Sequence, residues 1–133
     1  MDQLFTATID EAAMLLEKKG EFFPFAFAMK QDGNITVYSA FDGNECPPSS
    51  EVISQLIEGL QQEAKKNKII ACAIAYEVNG SFGESTNSQS AICVALEHES
   101  SVPVTCFQPY ELKESKYQGG NIVVQEGDSN VFV

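Results

Sequence analysis

The run Ile69-Ile70-Ala71-Cys72-Ala73-Ile74-Ala75-Tyr76 constrains the fold more than any other segment. Successive side chains of a strand point to opposite faces, so a strand wetted on one side alternates apolar and polar residues. Here both parities are apolar, which calls for a central strand covered on two sides. The run is under half the length of a membrane-spanning helix, which needs about 20 residues. Other parts of the chain must therefore supply the cover.

Two helical patterns can do so. Thr8-Ile9-Asp10-Glu11 matches a capping box, in which the threonine hydroxyl and the glutamate satisfy each other's free backbone donors, and it predicts a helix start there. Ile9, Ala12, Ala13 and Leu16 then share one face, Lys18 and Lys19 suit the negative helix end, and Gly20 suits a left-handed cap. The second helix starts at Ser49 or Ser50 and carries the stripe Val52, Ile53, Leu56, Ile57, Leu60 and Ala64. Lys65, Lys66 and Asn67 end it.

The remaining patterns are extended. Phe23, Phe25, Phe27 and Met29 alternate with Pro24, Ala26 and Ala28, which predicts a strand packed on helices through its Phe side. Pro24 cannot donate to a ladder and belongs at the strand's start or on an edge. Asp32-Gly33 predicts a hairpin turn into a second strand at 35–40. Residues 91–97 and 102–107 predict another hairpin around a turn at 98–101, with Pro103 marking an edge or a strand's beginning. After Tyr110 the chain is less regular, with Gly119-Gly120, then Ile122-Val123-Val124 and Val131-Phe132-Val133, and reads as an irregular or stranded tail. The expected architecture is one α+β domain over 1–133, order α-β-β-α-β-β-β plus that tail. It would hold an antiparallel sheet of about five or six strands with two helices on it. Similar element orders occur in profilin-like and roadblock-like modules, a resemblance of order that carries no function.

Charge narrows the partners. Eight Lys and Arg against 19 Asp and Glu leave a formal net charge of −11. Such an excess repels nucleic-acid backbones and anionic membranes, and it favours a basic protein partner. The start, Met1-Asp2-Gln3-Leu4-Phe5-Thr6, has neither a basic region nor a long apolar run, so the expected compartment is the cytoplasm. Cys46, Cys72, Cys93 and Cys106 are widely separated, with no C-x-x-C pair, and read as reduced structural thiols.

Catalytic candidates are few. His98, the single histidine, lies between Glu97 and Glu99, and a partnership with Cys93 or Cys106 would still need an orienting group and an oxyanion site. Adjacent strand residues point apart, so Glu97, His98 and Glu99, even with Glu111, do not close around one metal ion. Asp42-Gly43-Asn44-Glu45 falls short of a calcium loop, and the glycines at Gly80-Ser81-Phe82-Gly83 and Gly119-Gly120 match no phosphate-binding spacing. The reading therefore contains no catalytic residue, no metal site and no cofactor. Phe82, an apolar side chain in a polar loop, is a candidate partner contact.

Three segments carry a resemblance: Gly20-Glu21-Phe22-Phe23-Pro24-Phe25-Ala26, the strand ending Leu96-Glu97-His98, and Pro109-Tyr110. Over 8–110 the chain resembles a family of small bacterial proteins with a Gly-Glu-Phe-x-Pro-Phe-Ala segment and strands ending in Leu-Glu-His and Pro-Tyr. The resemblance implies an α+β domain and brings no established activity. In this layout Glu21, Pro24, Glu97, His98, Pro109 and Tyr110 all fall at strand ends or edges, so a shared rim is one candidate binding site. The competing reading is local: Glu21 beside a helix cap, the prolines as edge guards, Tyr110 as core cover. Three functional expectations follow. The first is a non-enzymatic, immunity-like interaction module that masks a basic partner. The second is a small ligand binder or enzyme using the Glu97/His98/Tyr110 rim. The third is a homodimer formed through the Phe-rich strand or the edge at 102–107.

Overall fold

A computed structural model of the chain describes residues 2–20, 22, 24–38, 49–80, 89–114, 116–127 and 131–132. The elements are α1 (Asp2–Lys19), β1 (Phe25–Lys30), β2 (Ile35–Tyr38), α2 (Ser49–Lys65), β3 (Ile69–Gly80), β4 (Gln89–His98), β5 (Ser101–Lys113), β6 (Lys116–Gly119) and β7 (Val123–Glu126). All pairings are antiparallel, in the order β2-β1-β3-β4-β5-β6, with β7 also paired to β5. The α+β fold is as the sequence predicts. The strand count exceeds the expectation because the tail takes the stranded alternative and adds β6 and β7, which share one edge of the long β5.

β3 lies between β1 and β4 and is buried on both faces. Ala71, Ala73 and Ala75 join Leu4, Ala12, Leu16, Phe22, Phe25, Ile92, Val94 and Leu96 in the core under α1. Cys72 and Ile74 join Ala26, Ala28, Val52, Leu56, Leu60 and Val131 in the core under α2. The helices thus lie on opposite faces of the sheet, α1 over β1, β3, β4 and β6, α2 over β1 and β3. This amends the expected packing of β1 through its Phe side alone. Phe25 and Phe27 do face α1, and the small Ala26 and Ala28 let α2 approach the other face.

α1 does not start at a capping box. It begins at Asp2, and Thr8 is fully buried inside it, its hydroxyl donating to the Leu4 carbonyl at 2.8 Å. A mid-helix threonine that bonds back to the previous turn is satisfied without a cap. Burial of Leu4, and of Phe5 in part, explains the extra turns at the start. Gly20 ends α1 as expected, at φ 77° with its N–H on the Leu16 carbonyl at 2.8 Å.

The turns follow their sequence signals. Lys30 N–H donates to Asn34 O at 2.8 Å across the Asp32-Gly33 turn, where Gly33 takes φ 90°. Between Leu96 and His98 the β4–β5 ladder shifts register, so Pro103 sits at a bulge, where a missing donor costs nothing. Gly127 closes β7 against β5 with its N–H on Pro103 O at 2.9 Å, and a Cβ there would lie 2.8 Å from Thr105 Oγ1.

The edges named for a homodimer are interior. β1 is flanked by β2 and β3, and residues 104–107 of β5 lie between β4 and β7. Among the described residues the open edges belong to β2, β6 and β7. No described helix is long and apolar enough to cross a membrane.

Candidate functional site

The proposed rim does not form as one site. Tyr110 falls opposite Ser90 at the start of β4, as the Ala91–Pro109 pairing fixes, whereas Glu97 and His98 end the same strand. Seven residues of strand at about 3.3 Å each put roughly 23 Å between the two groups. Pro24 is buried just before β1, nearer the Tyr110 end. Glu21 and Phe82 lie outside the described residues.

At the His98 end each side chain has a local task. His98 Nδ1 accepts from the Ser100 N–H at 3.0 Å and so ties the turn between β4 and β5. Glu97 is only 4% exposed, on the α2 side opposite Cys72. Its carboxylate accepts from the Val131 N–H at 3.0 and 3.2 Å and from the Phe132 N–H at 3.3 Å. A buried carboxylate receiving backbone donors forms charge-assisted bonds, stronger than neutral ones. Glu97 therefore clamps the C-terminal segment onto the sheet, a role that sequence spacing across 34 residues does not announce.

The other end holds a polar cluster. Tyr110 is 8% exposed, and its hydroxyl donates to Glu77, which the pleat places on the same face of β3. Ser90 also bonds the Tyr110 hydroxyl. Tyr117 stacks on Tyr110 with ring centroids 5.6 Å apart and donates its hydroxyl to Gln108 at 2.5 Å. The Tyr117 N–H donates to Glu17 of α1 at 2.9 Å, which fastens β6 to the helix. A cleft of about 510 Å³ opens here, lined by Gly20, Glu77, Ser90, Tyr110, Glu111, Leu112 and Lys113. A second, of about 270 Å³, lies behind Tyr110 against Gly119 and Gly120. The tyrosines of this cluster are outside the sequence expectation except Tyr110, because β6 was not foreseen.

Burial sets the proton chemistry. It pushes the Tyr110 hydroxyl up, and the Glu77 carboxylate adds to the effect, while it pushes Tyr117 up to about 12. The Cys72 thiol is raised by burial and then by the charge of Glu97, and Cys93 and Cys106 are raised by burial. These three cysteines, the ones among the described residues, are unpaired and buried, so they are protonated, inert groups rather than nucleophiles. Tyr76, opposite Cys93, is likewise raised by burial and by its bond to that thiol. Among the described residues no three His, Cys, Asp or Glu side chains gather as a metal ion would require.

These shifts share a sign. Each group is neutral when protonated, and the unfolded chain releases its proton at ordinary values of 9.0 for Cys and 10.0 for Tyr. The folded form holds the proton longer, so stability is intact below 9.0 and falls as pH climbs through the higher folded values. Denaturant midpoints should be flat at neutral pH and drop steeply in the alkaline range, with tyrosinate absorbance rising at the same pH as unfolding. Tyrosinate appearing while the native far-ultraviolet spectrum persists would contradict the burial.

No family model matches the chain, and no curated protein or solved structure shows significant similarity to it.

Proposed function

We propose that this chain is a non-enzymatic interaction module of the cytoplasm whose acidic surface masks a basic protein partner, in the manner of an immunity protein. One observation carries this reading: the surface carboxylates are not neutralised within the fold. Among the described side chains only Glu63, 4.0 Å from Lys68, and Glu111, 3.6 Å from Lys113, have a lysine in range. Asp10, Glu51, Glu58, Glu99 and Glu126 stand in solvent without one. Uncompensated charge of one sign strains the isolated molecule and speeds capture by the opposite sign. The test is capture of a partner from native lysate, followed by its dissociation constant against salt. A basic partner should bind about tenfold or more weakly at high ionic strength. A partner of neutral or acidic charge, or one whose affinity ignores salt, would overturn the reading.

A second reading rests on the Tyr110–Glu77 hydrogen bond at the mouth of the 510 Å³ cleft, a polar pair placed as a ligand would need it. A small molecule found there by thermal-shift screening should lose its effect in Tyr110→Phe. Retention of the full shift would remove this reading.

A further inference from the structure

We infer that the basic partner docks by adding an extended segment to the open edge of β7, with an apolar residue opposite Val124 and a lysine or arginine opposite Glu126. This rests on the reading of the chain as an acidic module and names the surface that module uses. In an antiparallel ladder, hydrogen-bonded pairs alternate with pairs whose backbone groups point away from each other. The Gly127 N–H donates to Pro103, and the register runs Val104–Glu126, Thr105–Gln125, Cys106–Val124, Phe107–Val123. By alternation Val123 and Gln125 face β5, while Val124 and Glu126 present their N–H and C=O groups outward. A row of such groups is a template for one more strand.

The side chains fit the same use. Val124 opposes Cys106 of the α1-side core, so Val124 and Glu126 share that face with Val104. Val104 packs against the α1-side core, whereas Val124 is 62% exposed and Ile122, just before the strand, 44%. Natural sheets protect free edges with lysine, proline or inward charges. Residues 122–126, Ile-Val-Val-Gln-Glu, contain neither lysine nor proline.

Charge selects the occupant. Residues 99–112 and 117–133 contain no lysine or arginine, while Glu126 sits opposite Val104 and Glu99 lies in the β4–β5 turn beyond it. Lys113 and Lys116 lie at the far end of β5, beyond its last pairing with β7 at Phe107. A second copy of this chain, at −11, would meet only repulsion there. The β2 edge also exposes Val37, but the cleft near its turn carries Lys30 and Lys68 alongside Asp32 and Glu63, so it lacks the single sign of charge that would select a cationic strand.

The experiment uses the full chain and a Lys-Thr-Val-Thr-Val-Thr-Lys peptide, with the same peptide bearing Glu for Lys as control. The lysine peptide should slow hydrogen exchange at the Val124 and Glu126 amides, and the glutamate peptide should not. In Val124→Lys, whose melting should match the parent because the site is exposed, lysine-peptide affinity should fall about tenfold. Unchanged exchange at Val124 and Glu126 under excess peptide, equal binding of both peptides, or full affinity in Val124→Lys would each overturn the inference. A captured basic partner whose salt-sensitive binding survives Val124→Lys would overturn the edge assignment and leave the acidic-module reading intact. A partner insensitive to salt would remove that reading and this inference together.

Discussion

Replacing Glu97 with alanine should cost about 1–3 kcal/mol of stability, because the backbone donors it holds would be left buried and unmade. The Val131 N–H reaches both carboxylate oxygens, at 3.0 and 3.2 Å, and the Phe132 N–H reaches one at 3.3 Å. Val131 is 2% exposed within the core under α2, so water cannot simply replace the lost acceptor. Glu97→Gln retains one acceptor oxygen but loses the charge that strengthens the bonds, and should fall between parent and Glu97→Ala. Guanidinium denaturation gives the free energies, and hydrogen exchange at Val131 and Phe132 locates the effect. Accelerated exchange at those two amides, with the β3 and β4 amides less affected, is the expected signature of a released clamp. Equal stability of Glu97→Ala and the parent would mean that the C-terminal contact contributes nothing.

The layer structure was legible because it depends on local parity. Eight residues apolar on both sides demand two covers, and two amphipathic helices supply them on opposite faces of β3. Likewise Asp32-Gly33 and the turn at 98–101 state their geometry within four residues. What escaped depends on distant pairing. β6 and β7 are four residues each, too short for a periodic signal, and exist because β5 is long enough to hold both on one edge. Thr8 misled for a related reason: its hydroxyl has a partner inside the helix as well as at a cap, and burial of Leu4 decided between them. The rim failed because pattern gives the face of a residue but not the end of its strand. Glu97 and Tyr110 both read as strand ends in the sequence, yet β5 runs on through Tyr110 to Lys113 and the two residues lie about seven positions apart along β4.

The partition of large and small side chains under α1 yields the second strong expectation. Ala73 of β3 lies directly opposite Leu96 of β4, both on the α1 face and both buried. α1 lies over β3, whose fully buried residues on that face are Ala71, Ala73 and Ala75, and β4 fills the space to one side with Ile92, Val94 and Leu96. Leu96→Ala should therefore open a cavity and cost about 2–5 kcal/mol. Ala73→Leu adds volume where the helix leaves none, and should cost about 1–3 kcal/mol through strain. In the double variant the new leucine leans into the space vacated across the ladder, a pair separation of about 5 Å. Its loss should be smaller than the sum of the single losses by about 1 kcal/mol or more, since contacting residues couple. Chemical denaturation of the four proteins measures this directly, with equal m-values as the check that the unfolded states match. Strict additivity would mean that Ala73 and Leu96 do not share one packing space, and that the distance of α1 from the sheet is set elsewhere.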